Sequence, residues 1–277
     1  MRQPKAILFD LDDTISSYDS VCGPAWESSC KEFIRKNQAN IYIEELLKSL
    51  DRSRDWYWAD PVRSKEGRNN LRMARRDVVR IALKELGINE EESVIELADH
   101  YTELQNSMLA LLPGAREALE LVKQMGIRSA VITNGNSAGQ REKLDRFQVR
   151  EFFEEVFIDT EVGYSKPDKE IFQYALEKMA LKPEEVWMVG DNLVWDVYGA
   201  QQLGIFAVWN DYRGKGLPEN SKIIPDLTVP SIREMAELLR STSHSPSSRC
   251  SLQSPHQAED TSAKLSSEGE GQSFNGL

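Results

Sequence analysis

The sequence predicts an α/β fold in which a parallel sheet covered by helices carries an inserted α-helical domain. Two observations support this. Short, wholly apolar runs alternate with amphipathic helical patterns, which is how a parallel sheet buried on both faces reads. Between the first and second of those runs, from about Ser20 to Met108, the chain carries only helical patterns.

The strands are Lys5–Phe9, Ser129–Thr133, which stops at the turn dipeptide Asn134-Gly135, a weaker Glu155–Ile158, Val186–Val189 ending at Gly190-Asp191, and Ile205–Val208. Ala115–Met125 carries Ala118, Leu119, Leu121 and Val122 and stops at Gly126, a good C-cap. Asp168–Met179 follows Pro167, with Ile171, Phe172, Ala175, Leu176 and Met179 spaced for one helix face. The expected organisation is a core built from 1–17 and 109–240, a helical cap at 18–108, and a tail at 241–277. The tail is rich in Ser, Gln, Glu and Gly and holds one phenylalanine, too little apolar surface to offset the entropy of ordering it.

The 277 residues exceed what one compact core usually needs. A net charge of -11 sets the surface against nucleic acid and anionic membranes. The basic residues of 63–86 form too short a face to reverse this. The apolar run at the N-terminus breaks at Asp10, short of a secretory signal, and no stretch reaches the roughly 18 apolar residues of a membrane span. Cys22, Cys30 and Cys250 form no disulfide framework. The expectation is a cytoplasmic protein in a reducing compartment.

Four segments follow predicted strands and therefore gather at one sheet edge, where open parallel sheets bind ligands. Phe9-Asp10-Leu11-Asp12-Asp13-Thr14 puts three carboxylates in four residues, a density that calls for a cation; extended spacing sets Asp10 and Asp12 on one side of the backbone. Thr133-Asn134-Gly135-Asn136 offers a hydroxyl and amides to phosphate oxygens. Gly163-Tyr164-Ser165-Lys166-Pro167-Asp168 supplies a lysine beside a helix start. Gly190-Asp191-Asn192-Leu193-Val194-Trp195-Asp196 adds two more acids. Singly, these are an acidic turn, an ordinary turn, a surface lysine and a helix cap. Together they supply a hard cation site, an oxyanion cradle and a carboxylate nucleophile.

The ordered series DLDDT, ITNG, SKPDKEIF and GDNLVWD resembles the four motifs of the haloacid dehalogenase superfamily. It is most similar to the phosphatase branch with a helical cap after the first motif, close to N-acylneuraminate-9-phosphatase-like and pyrimidine-nucleotidase-like members. The resemblance spans roughly residues 5 to 239. It implies a Rossmann-like core, a Mg2+ cofactor and a small phosphate ester as substrate: a sugar phosphate, an acylated sugar phosphate or a nucleoside monophosphate. It implies that Asp10 is the nucleophile, Asp12 the general acid/base, and Thr133 and Lys166 the phosphoryl ligands, with Asn134 beside them. The metal would be held by Asp10, the backbone carbonyl of Asp12, Asp191 and Asp196. Two positions depart from the pattern: Asp13 stands where many members carry glycine, and Phe147-Gln148 replaces a glycine after the second motif. The acid at Asp12 favours a phosphatase over a dehalogenase, which needs no leaving-group proton. A phosphomutase and a catalytically silent binding protein on the same fold are the alternatives.

In the insert, Leu71, Ala74, Val78, Ala82 and Leu86 define an inward helix face. Arg75 shares it, with Arg68 and Arg72 at its border; either Arg75 pairs with a carboxylate of the insert or snorkels at its edge, or Arg75, with Arg72 as a second candidate, contacts an anionic or hydroxyl-rich part of the substrate. The Trp56-Tyr57-Trp58 cluster reads as core packing.

Overall fold

Six short runs pair into one parallel sheet in the computed structural model, which describes residues 3–243. They are β1 (Ala6–Phe9), β2 (Arg128–Thr133), β3 (Glu155–Ile158), β4 (Val186–Gly190), β5 (Phe206–Asn210) and β6 (Leu227–Val229), in the spatial order β3-β2-β1-β4-β5-β6. Every residue of β1 and β4 is buried. Alternate side chains leave to opposite faces. Ile7, Phe9, Val131, Val189 and Val208 pack on one side against α6 (Ala115–Gln124) and α11 (Ile232–Ser243). Leu8, Ala130, Ile132, Met188 and Ala207 pack on the other against α9 (Lys169–Met179).

Phe9, the last residue of β1, pairs with Val131 on one flank and Val189 on the other, so β2 runs two residues and β4 one residue past the end of β1. The chain leaves β1 for β2 on one side and later places β4 on the other. That reversal opens a crevice at the carboxyl ends of the strands.

Five helices fill the stretch between β1 and β2: α1 (Asp19–Asn37), α2 (Ile43–Ala59), α3 (Pro61–Asn69), α4 (Leu71–Glu85) and α5 (Glu91–Met108). They carry a hydrophobic cluster of their own, including Phe33, Leu46, Leu50, Val79, Leu83 and Leu97. The expected inward face from Leu71 to Leu86 lies on one helix, α4 with Leu86 at its C-cap, while Arg68 stands on the separate helix α3. Asp60 caps α3 by accepting from the Arg63 N–H at 2.8 Å, with Pro61 at the first helical position. Asn70 then caps α4 through the Met73 N–H at 3.2 Å. Tyr57 is buried in this cluster, as core packing requires, while Trp56 is exposed.

Both departures from the superfamily pattern occupy left-handed backbone: Asp13 at φ 60° and Gln148 at φ 52°. Glycine adopts that region at no steric cost, and other residues need compensation. For Asp13 it comes from four donors. The N–H groups of Tyr18 (2.9 Å) and Asp19 (3.0 Å), the Tyr212 hydroxyl (2.7 Å) and the Arg213 guanidinium (3.3 Å) all reach its carboxylate. Asp13 thereby ties the start of the helical insert to the loop after β5.

Helix α11 runs through Ser243, so 241–243 continue a helix rather than begin a tail. The rest of the expected tail lies outside the described residues. No helix among the described residues is long and apolar enough to cross a membrane.

Candidate active site

Asp10 follows β1 directly, its N–H donating to the Val189 carbonyl at 2.9 Å. The residue is 6% exposed. Lys166 Nζ lies 2.6 Å from Asp10 Oδ1 and 2.6 Å from Asp196 Oδ1, bridging the first and last motifs. Burial alone would strip the charge from Lys166, but Asp10 and Asp196 outweigh it and hold the ammonium above its ordinary range.

Asp196 is delivered by a single π-helical turn, Leu193–Tyr198, started by Asn192, whose side chain accepts from the Val194 and Trp195 N–H groups at 3.0 Å each. Such turns concentrate at functional sites. Asp196 Oδ2 accepts from the Asn192 N–H at 3.0 Å, so both oxygens are engaged. Gly190 makes room for it. A Cβ at that position would fall 2.2 Å from the Asp196 carboxylate.

Asp191 is half-buried and its carboxylate accepts no hydrogen bond from a described residue. One oxygen from each of Asp10, Asp191 and Asp196 lies within 4.8 Å of the others. Burial pushes Asp191 up to about 9, helped by Asp10 and Asp196; burial also pushes Asp10 up to about 7, with Asp196 adding to it and Lys166 opposing. Three carboxyl groups face one ammonium. The donors are hard oxygens of the kind that hold a small divalent cation, whose charge would favour their ionised forms.

Asp12, one of the expected pair, directs its carboxylate elsewhere. Lys143 Nζ meets Oδ1 at 2.6 Å and Oδ2 at 2.8 Å, and Gln140 Nε2 donates to Oδ2 at 3.1 Å. Both partners stand on α7 (Ser137–Arg146). Gln140 also donates to Thr133 Oγ1 at 2.8 Å and to the Asn134 carbonyl at 3.1 Å. Thr133 is buried, and its own proton has only a long 3.4 Å contact with the Asn134 carbonyl. Sequence reasoning misses Gln140 and Lys143. A signal for them exists: they sit three residues apart on the helix after the second motif, hence on one face.

Asn134 is used differently from the expectation. Its Oδ1 accepts from the Lys166 N–H at 2.8 Å and its Nδ2 donates to the Lys166 carbonyl at 2.9 Å. With both ends of the amide committed, it fixes the main chain that carries Lys166.

The three arginines singled out on the insert, Arg68, Arg72 and Arg75, divide. Arg72 is exposed and pairs with Asp99 at 2.5 Å, far from a role as a substrate contact. Arg68 reaches Asp159 at 3.2 Å, joining α3 to the end of β3. Arg75 is buried and lines a cavity that the insert forms together with Arg213 of the loop after β5.

The chain matches the haloacid dehalogenase-like hydrolases over residues 4–204. It is 31% identical over 247 residues to glyceraldehyde 3-phosphate phosphatase of Pyrococcus furiosus, covering 86% of this chain and 94% of that one. Over 179 residues it is 37% identical to phosphoserine phosphatase of Thermus thermophilus, covering 64% and 65%. Among solved structures, the magnesium-bound HAD-hydrolase YfnB of Bacillus subtilis superposes with a TM-score of 0.64 at 22% identity, covering 86% of this chain and 99% of that one, a likeness of fold. With its motifs gathered at the carboxyl edge of a parallel sheet and the family matched across most of its length, the chain belongs to the haloacid dehalogenase-like hydrolases.

Proposed function

We propose that this hydrolase is a Mg2+-dependent phosphatase that cleaves a small phosphate monoester through a phosphorylated Asp10. The observation that carries the reading is the trio of Asp10, Asp191 and Asp196 around the single ammonium of Lys166. The names of the relatives, phosphatases of glyceraldehyde 3-phosphate and of phosphoserine, support it.

Asp10, Asp191, Asp196 and the backbone carbonyl of Asp12 would hold the metal. When bound, it offsets the charge of the phosphoryl oxygens and of the carboxylates. Lys166 and the Thr133 hydroxyl orient the phosphoryl group in line with Asp10. A carboxylate oxygen of Asp10 attacks phosphorus and the ester P–O bond breaks, giving an aspartyl-phosphate. Asp12 gives its proton to the departing oxygen, so the alcohol leaves neutral. Asp12 then takes a proton from water, whose oxygen attacks the same phosphorus, and Asp10 and inorganic phosphate are released. Helices α1–α5, residues 18–108, act as a cap over this edge and choose the alcohol.

The test is release of inorganic phosphate from p-nitrophenyl phosphate with Mg2+. Asp10→Asn should abolish it, by on the order of 10⁴-fold or more. Wild-type turnover in the Asp10→Asn protein would refute the nucleophile.

A further inference from the structure

A cavity of about 480 Å³ lies between the helices of the insert and Arg213 of the loop after β5. Tyr18 links it to the catalytic edge: it lines the cavity, and its ring centre is 4.8 Å from Lys143 Nζ, the group that holds Asp12. Four of its thirteen lining residues are aromatic: Tyr18, Trp26, Trp58 and Tyr101. Trp26 and Tyr101 stack at 3.6 Å, with Trp58 nearby on the lining. The volume suits a small organic ligand.

Three guanidinium groups line the cavity, and two already have counter-ions. Arg54 has Asp51 at 3.2 Å and Asp55 at 3.6 Å; Arg213 has Asp13 at 3.3 Å and Asp19 at 3.1 Å. Arg75 is 9% exposed, and among the described residues no carboxylate pairs with it. It donates one hydrogen bond to Gln105 Oε1 and otherwise faces the Tyr101 ring at 5.2 Å. Gln105 is itself held, its Nε2 donating to Cys22 Sγ at 3.0 Å, which keeps its carbonyl oxygen turned toward Arg75.

A buried cation without a counter-ion is costly, and Arg75 has donors to spare. A single planar guanidinium with one net charge to neutralise matches a carboxylate; a second phosphate would bring more charge than this wall can offset. We propose that the cavity takes the alcohol part of the substrate, and that this part is a carboxylate on an apolar body, the carboxylate held by Arg75. The inference rests on the phosphatase reading and names its substrate class: phosphate monoesters of carboxylated alcohols or phenols.

The test uses two matched pairs of different reach: phenyl phosphate with 4-carboxyphenyl phosphate, and propyl phosphate with 4-phosphooxybutanoate. In the native protein the carboxylated ester of at least one pair should show kcat/KM higher by on the order of tenfold or more. Arg75→Gln should bring that ratio close to one, and Arg75→Lys should retain part of it. Indifference to the carboxylate in both pairs of the native protein overturns the proposal, whether or not the variants fold. So does a preference that survives intact in a folded Arg75→Gln protein. Calorimetry of 4-hydroxybenzoate against phenol on the Asp10→Asn protein separates the two claims. Selective binding of the benzoate by a protein whose native form turns over no ester would sink the phosphatase reading and leave the anion site standing.

Discussion

Lys143 Nζ grips both carboxylate oxygens of Asp12, at 2.6 and 2.8 Å, in a pair whose side chains are 13% and 24% exposed. The acid proposed to protonate the leaving group is therefore aimed from α7, not by the loop after β1 that carries it. Lys143→Met should lower kcat by roughly ten- to a hundredfold through lost positioning. The loss should be larger for an alkyl phosphate than for p-nitrophenyl phosphate, whose leaving group needs little help from an acid. Steady-state kinetics on both esters decides it: an equal loss on the two would reduce Lys143 to a structural prop.

Asn134 gives a second kinetic expectation. Its two bonds to the main chain of Lys166 set where the ammonium stands between Asp10 and Asp196. Asn134→Ala should cut kcat by about tenfold, with a smaller effect on KM, because the error falls on the phosphoryl group in the transition state. A rise in KM alone would mean that Asn134 binds substrate directly.

The acidic trio makes the metal-free protein sensitive to pH, in a direction that can be worked out. Asp10 and Asp191 stand at about 7 and about 9 in the fold, against 3.8 ordinarily. Below about 4 both are protonated folded or unfolded, and they cost nothing. As pH rises the unfolded chain releases these protons first, so their contribution to stability falls until about pH 9. Asp191→Asn removes one of the charges. In EDTA it should raise Tm near pH 9, by on the order of 5 °C, and leave Tm near pH 5 little changed. Thermal melts of the two proteins across that range check the sign, and a Tm gain at pH 5 equal to that at pH 9 would contradict it.

Magnesium should reverse the effect. At about 100 times its Kd it adds about 2.7 kcal/mol, a rise of about 5–10 °C in Tm for a domain of this size. Asp191→Asn should lose most of that rise. Melts with and without Mg2+ at pH 8 measure it, and an undiminished rise in the variant would exclude Asp191 as a ligand.

How far the sequence reveals this arrangement depends on what each residue had to signal. The ends of β1, β2 and β4 were legible, because a short apolar run that stops dead at an acid or a turn marks a buried strand reaching the edge of its sheet. β6 was not: Leu227–Val229 is a three-residue edge strand with one exposed position, too short to show a period. The five helices of the insert were legible as helix, but the boundary at Asn70 was not read, although an Asn directly before Leu71, the first residue of the inward face, is an N-cap signal. Asp13 was visible only as a departure from a pattern; the four donors that hold it come from residues 18 and 19 at the start of α1 and from residues 212 and 213, which no local reading connects. Gln140 and Lys143 look like the polar face of an ordinary surface helix until the fold sets that face against the end of β1.

Gly190 offers the sharpest structural test of the site. It is the last residue of β4, and its missing side chain is where the Asp196 carboxylate sits: a Cβ would come within 2.2 Å of Cγ and Oδ2 and within 2.5 Å of Cβ. Asp196 has little freedom to retreat, with one oxygen on Lys166 and the other on the Asn192 N–H. Gly190→Ala should therefore push Asp196 off Lys166, costing about 1–3 kcal/mol from overpacking. The displaced lysine and the altered metal cradle should lower kcat by on the order of a hundredfold. Circular dichroism establishes that the variant folds, and phosphate release measures the loss. A folded Gly190→Ala protein with native kcat would mean that catalysis does not need Asp196 against Lys166.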